Sequence, residues 1–144
     1  RWAVEWLFDD FEPETVEATT LMWWMHRRVD PEQFPPVRTV VEWRHTAPDP
    51  QTIWFVLERG AVSVCVQHPG FEVDLVVTMT TPDLASVFQG YRRWKEAVDA
   101  GLITVEGPPR LAAALPKWFL WSPWAEQTRE RARRTEASAG RRAS

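Results

Sequence analysis

The stretch spanning residues 52–107 constrains this chain more than any other. Apolar residues recur at every second position through Ile53, Phe55 and Leu57, then Val62, Val64 and Val66, then Val73, Leu75, Val77 and Met79. Period two puts each set on one face of an extended strand. Gly60 and Pro69-Gly70 separate the three runs, and links this short make the first strands antiparallel neighbours. Thr81-Pro82-Asp83 then opens a helix, with Thr81 as N-cap, proline in the first position and an acid in the first turn. Leu84, Val87 and Phe88 form its apolar face and Gly90 ends it; Trp94, Ala97 and Val98 mark a second short helix, closed by Gly101. Residues 102–106 read as a last strand. A sheet with one oily face and amphipathic helices with no other partner implies two layers packed on each other.

The flanks read as cover, connector and tail. Residues 1–8 are helix-like, with Trp2 and Trp6 on one face, and read as the end of a longer helix. Residues 17–29 are a better helix, in which Leu21, Trp24, Met25 and Arg28 follow the helical period while Met22 and Trp23 point elsewhere. Two apolar sides imply two contacts, or else deep burial. After the proline-rich loop at 30–36, residues 37–45 alternate. Val37, Thr39, Val41 and Trp43 fall on one side, and Arg38, Val40, Glu42 and Arg44 on the other, as in a half-buried strand. Gly107-Pro108-Pro109 turns into a helix carrying Leu111, Ala114 and Leu115, which Pro116 must stop. Trp118, Phe119, Leu120, Trp121 and Trp124 make an aromatic patch. Residues 126–144 are rich in Arg, Ala and Ser, have no bulky apolar side chain, and are expected to be disordered at the end.

Several function classes are disfavoured. A chain of 144 residues is one domain by default, and no apolar run approaches the ~18 residues of a membrane span. The net charge is −3, and the tail holds six arginines against three glutamates, so the body is more negative than the whole and repels phosphate backbones. Cys65, the only cysteine, cannot form an internal disulfide; it reads as a buried inert thiol and fits a reducing, cytoplasmic setting. His26, His45 and His68 are scattered without metal-ligand spacing, and no phosphate loop or nucleophile elbow is present, so neither a metal nor a cofactor nor catalysis is expected. The acids Asp9, Asp10, Glu12 and Glu14 read as a solvated run, and Asp74 as paired with a neighbouring strand. Ten tryptophans leave three readings open: an aromatic core, an interface, or a wide apolar pocket.

Four segments together resemble sterol carrier protein type 2 domains. Thr52-Ile53-Trp54-Phe55-Val56-Leu57-Glu58-Arg59-Gly60 is similar to the family's Trp-bearing hairpin, and Val73-Asp74-Leu75-Val76-Val77-Thr78 to its Asp-led fourth strand. Phe88-Gln89-Gly90 resembles the end of the following helix. Ala100-Gly101-Leu102-Ile103-Thr104-Val105-Glu106-Gly107, with Leu111 and Leu115, resembles the closing strand and Leu-rich helix. The resemblance covers about residues 37–119, with Pro108 standing where the family often has Asp. The segments around Trp2-Ala3-Val4-Glu5-Trp6 and Leu21-Met22-Trp23-Trp24-Met25-His26 resemble the linker of actinobacterial HxlR-type winged-helix regulators that carry such a domain C-terminally.

The resemblance implies an α+β fold with a five-stranded mixed, mainly antiparallel sheet and helices over one face. It divides the chain into an N-terminal connector (1–35), a sterol-carrier-protein-like domain (36–121) and an Arg-rich tail (122–144). It also implies non-catalytic binding of a sterol, fatty acid or similar lipid in an apolar tunnel, as the effector domain of a transcriptional regulator. The expected lining is Ile53, Phe55, Leu57, Val64, Leu75, Val77 and Met79 from the sheet, and Leu84, Phe88, Trp94, Leu111, Leu115 and Trp118 from the helices. DNA would be reached only through a domain outside this chain. The alternative is a structural or dimerisation module, a homodimer whose interior is closed and dry.

Overall fold

The computed structural model describes residues 16–121. The expected helix at 1–8, the acidic run, Trp124 and the Arg-rich tail lie outside the described residues. Five strands, β1 (Thr39–His45), β2 (Gln51–Glu58), β3 (Ala61–Cys65), β4 (Leu75–Met79) and β5 (Ile103–Glu106), form one mixed sheet in the order β3-β2-β1-β4-β5. β1–β2, β2–β3 and β4–β5 are antiparallel, whereas β4 lies parallel to β1. The α+β class and the mixed sheet are as expected.

Local chemistry accounts for the links. Arg59 and Gly60 both have positive φ, 55° and 76°, which gives β2 and β3 the two-residue reversal whose twist matches paired strands. Gly107 has φ 144°, and a Cβ there would stand 2.5 Å from the Asp74 carbonyl oxygen and 2.7 Å from Leu75 Cδ2. Only glycine lets the chain leaving β5 pass this close to the start of β4.

The register places Val41, Trp43 and His45 beside Phe55, Ile53 and Gln51 on one flank, and beside Leu75, Val77 and Met79 on the other. These residues share the inward face with Thr39, Leu57, Val62, Val64, Ile103 and Val105. Helices α1 (Ala18–Arg27) and α2 (Thr81–Phe88) pack over this face, followed by α3 (Trp94–Asp99), α4 (Pro109–Ala114) and a 3₁₀ turn at Leu115–Trp118. A bridge between Val29 and Phe119 ties the end of the described chain to the residues after α1, through Asp30 N–H to Trp118 O and Leu120 N–H to Arg28 O, both 2.8 Å.

Several local expectations need correction. Met22 does not share an outer side with Trp23: it is fully buried, and Trp23 is the apolar side chain of α1 that projects outward, 56% exposed. Val37 precedes β1 and is 70% exposed, and Val66 follows β3 at 64%. β4 begins at Leu75 rather than at Val73, where the apolar alternation starts, because Asp74 turns its side chain into the ladder. Its Oδ2 accepts from Val40 N–H at 2.8 Å while its own N–H donates to Val40 O at 2.9 Å. The N-cap of α2 is Thr80, whose Oγ1 accepts from Asp83 N–H at 3.2 Å; Thr81 is already helical and faces inward. β1 is not half-buried either: only Arg44 among its seven residues is exposed. On its outer face Glu42, 8% exposed, accepts from Trp54 Nε1–H at 2.9 Å and pairs with Arg44 Nε at 2.5 Å. A carboxylate so nearly removed from water persists because both oxygens are bonded. Cys65 is half-buried, not fully buried.

Candidate functional site

All thirteen expected lining residues join a single apolar layer between sheet and helices. From β2, Ile53, Phe55 and Leu57 are buried, as are Leu75, Val77 and Met79 from β4, because alternation carries each set to the same face. Leu84 and Phe88 descend from α2, four residues apart on one helical stripe. Leu115 and Trp118 come from the closing 3₁₀ turn. Val64, Trp94 and Leu111 are half-buried at the margins of the layer.

The layer contains more than these. Leu21, Met22 and Met25 of α1 are completely buried in it, as are Val41, Trp43 and Ile103 from the sheet. Helical period identified Leu21 and Met25 in α1; Met22 was assigned to the wrong side because a three-turn helix lying flat on a sheet buries a broader stripe than period alone marks.

Two polar groups stand out in this apolar surrounding. Trp43 and His45 are successive inward residues of β1, 0% and 2% exposed. His45 Nδ1 lies 2.8 Å from Thr81 Oγ1, and burial pushes the imidazole pKa down from 6.5 to about 4, so the ring is neutral at ordinary pH. Trp43 Nε1 and His45 Nε2 are both buried without a hydrogen-bond partner among the described residues. The alternation that marked Trp43 as inward, extended by two residues, would have flagged His45; nothing local marks Thr81 as its partner.

Aromatic rings run in contact from the interior to a recess at the surface. Trp43 packs edge-on against Phe55 at 5.5 Å and against Phe119 at 5.9 Å; Phe119 lies 5.9 Å from Trp121. Trp121 stacks on Trp94 at 6.0 Å and meets Phe88 at 6.4 Å. Where this run reaches the surface, Val87, Arg92, Arg93, Trp94 and Trp121 line a recess of about 160 Å³. Sequence reasoning placed Trp94 in the lining and Trp121 in an aromatic patch but passed over Arg92 and Arg93, whose link between two helices reads as ordinary solvated loop.

Among the described residues no group of three or more His, Cys, Asp or Glu is placed to hold a metal ion. His26 and His68 lie away from the layer. His26 Nδ1 contacts Trp23 O, and the imidazole pKa is lowered, chiefly by burial; the His68 ring meets Trp54 on the outer face at 5.4 Å. No helix among the described residues is long and apolar enough to cross a membrane.

No family model and no curated protein matches the chain. Solved structures do. The chain is similar to the stereoselective inverting sec-alkylsulfatase Pisa1 from Pseudomonas sp., with a TM-score of 0.61 and 17% identity over 76% of this chain and 17% of that one. It is also similar to palmitated SCP2L2, a sterol carrier protein 2-like protein from Aedes aegypti, with a TM-score of 0.53 and 24% identity over 69% of this chain and 91% of that one. At these identities the likeness is one of fold. The fold is sterol-carrier-protein-like, and the chain spans only about a sixth of the alkylsulfatase.

Proposed function

We propose that this chain is a non-catalytic lipid-binding domain, taking a fatty acyl chain, sterol or similar lipid between its sheet and its helices. The observation that carries this reading is the apolar layer itself. It draws inward side chains from β1 to β5 and from every helix, and it runs through aromatic contacts to a recess at the surface. Beside the ten-residue α1, its roof is made of separate short pieces, α2, α3 and α4, of eight, six and six residues. Short helices joined by loops separate at lower cost than one long helix, so such a roof can admit a chain-shaped guest. Trp43 Nε1 and His45 Nε2, buried and without a partner among the described residues, add hydrogen-bonding capacity in an otherwise apolar interior.

The wider setting belongs to the same proposal. Residues 1–35 act as a connector from a winged-helix DNA-binding domain, and the lipid is the effector of a transcriptional regulator in the cytoplasm. Residues 36–121 then form the effector domain and 122–144 the tail.

A second reading has one observation in its favour. Ten of the thirteen lining side chains are at most 2% exposed, as in a closed, dry interior, and Trp23, Tyr91 and Leu120 are exposed on the outside. On that reading the domain is a dimerisation module. Native mass spectrometry of the purified chain, followed by solvent extraction, separates the two. The lipid-binding reading expects a monomer or dimer carrying an extractable lipid, and reloading of the stripped protein with a fluorescent fatty acid. A lipid-free dimer that takes up no fatty acid or sterol analogue would leave only the second.

A further inference from the structure

We propose that the free edge of β3 is a self-association surface, on which a second copy of this chain adds its own β3 in antiparallel pairing about a two-fold axis at Ser63. The inference holds whether or not the interior takes a lipid.

The edge is open because of how the hairpin before it is built. Glu58 and Ala61 close the two-residue Arg59–Gly60 turn, so they form a hydrogen-bonded pair. Along an antiparallel strand the N–H and C=O groups of successive residues point alternately to one side and the other. Ala61, Ser63 and Cys65 therefore bond to β2, and Val62 and Val64 turn their backbone groups away from it. β3 is the last strand of the sheet on this side. Among the described residues, no backbone hydrogen bond outside the β2 ladder reaches residues 61–66.

The two edges of the sheet differ in their protection. Natural edges carry charge, proline or a very short strand, which stop other strands from adding. β5 has such guards: it is four residues long, ends in Glu106 and runs into Gly107-Pro108-Pro109. β3 does not. It reads Ala61-Val62-Ser63-Val64-Cys65, followed by Val66-Gln67, with neither charge nor proline, and Val66 is 64% exposed. With one unguarded edge per copy, two copies meeting on it satisfy each other and association stops at a dimer.

The occupant is a second copy because this edge is complementary to itself. With the axis at Ser63, Val62 of one copy stands opposite Val64 of the other, and their outward N–H and C=O groups are exchanged across the joint. Both valines lie on the inward face, half-buried at the rim of the apolar layer, so pairing continues one layer into the other. On the outer face Ala61, Ser63 and Cys65 are small and uncharged, and Ala61 and Ser63 are exposed. An edge of five residues covers less than the ~1,200–2,000 Å² of stable interfaces, so the dimer is reversible and forms on the order of tens of micromolar.

The test is sedimentation velocity on the complete 144-residue chain, from about 1 to about 300 μM. A monomer–dimer equilibrium is expected for the parent. Ser63→Lys and Ser63→Glu each set like charges directly opposite one another at the axis and should weaken association about tenfold at low salt. An equimolar mixture of the two should associate at least as well as the parent. Ser63 is exposed, so both variants should keep the parent's circular dichroism. Cross-linking reads the register separately. Residues opposite in a non-hydrogen-bonded pair have Cα atoms about 4.5 Å apart, within disulfide reach, whereas the two Cys65 residues would lie roughly 13 Å apart along the strands. Ser63→Cys in a Cys65→Ser background should therefore give a covalent dimer under mild oxidation with copper phenanthroline, and the parent should not. A parent that stays monomeric at the highest concentration overturns the proposal. So does a dimer that ignores both charged variants, or one in which the parent cross-links through Cys65 more readily than the Ser63→Cys variant.

Discussion

Acid should destabilise this fold through one side chain. His45 is buried on the inward face of β1 with its Nδ1 at Thr81 Oγ1, and burial holds its pKa at about 4 against 6.5 in an unfolded chain. The folded value lies below the unfolded one, so as pH falls the unfolded state takes up the proton first. Stability is therefore fully present above the unfolded pKa, is lost as pH falls between 6.5 and about 4, and changes no further below that through this group. The cost is about 2 kcal/mol near pH 5 and about 3 kcal/mol near pH 4, equivalent at the first point to roughly 5–10 °C in Tm. The assay is urea unfolding at a series of pH values, for the parent chain and for His45→Gln, which keeps a polar group for Thr81 but cannot titrate. Carboxylates and His26 contribute equally to both proteins, so the difference between the two curves isolates His45. The variant should be less stable at neutral pH but should lose about 2 kcal/mol less on moving to pH 5. Parallel curves for the two proteins over that range would refute the argument, because they would mean that the ring is protonated in the folded state at no cost.

Three further outcomes follow from the geometry. Gly107→Ala should cost about 2–4 kcal/mol, since the new Cβ meets the Asp74 carbonyl and Leu75; Gly101→Ala, with φ 78° and open space around it, should cost only about 1–2 kcal/mol, and equal midpoints in chemical denaturation would contradict this. Glu42→Ala strands the Trp54 indole N–H in a half-buried site and removes the partner of Arg44, and should cost about 1–3 kcal/mol by thermal unfolding, with Glu42→Gln costing less. Val77→Phe adds bulk mid-strand between Trp43 and Val105. In a lipid-holding interior it should abolish uptake of a fluorescent fatty acid at little cost in stability, whereas a loss of about 1–3 kcal/mol from a parent protein that binds no lipid would favour the dry interior.

What the sequence determined by itself is which way most side chains face. Alternation in a strand is a property of the backbone at each residue, so Ile53, Phe55, Leu57, Leu75, Val77 and Met79 could be assigned to one face with no knowledge of their neighbours. The same holds for the Arg59–Gly60 reversal and the Leu84–Phe88 stripe, which depend on chemistry within a few residues. The pairing of β4 with β1 was decided only in three dimensions, because it joins segments more than thirty residues apart and leaves no local mark. Strand limits followed from it: Asp74 ends the regular ladder by donating to and accepting from Val40 across the sheet, not through any property of its own segment. The burial of Glu42 arises because Trp54 and Arg44 close over the outer face of β1. Thr80 rather than Thr81 caps α2 because Thr81 is turned toward His45, a contact between residues thirty-six apart. The recess needed α2, α3 and the segment after the closing 3₁₀ turn to converge, which is what brings Arg92 and Arg93 to the same recess as Trp121. Direction is a local property of the backbone; partners and openings are set by whatever the rest of the chain brings alongside.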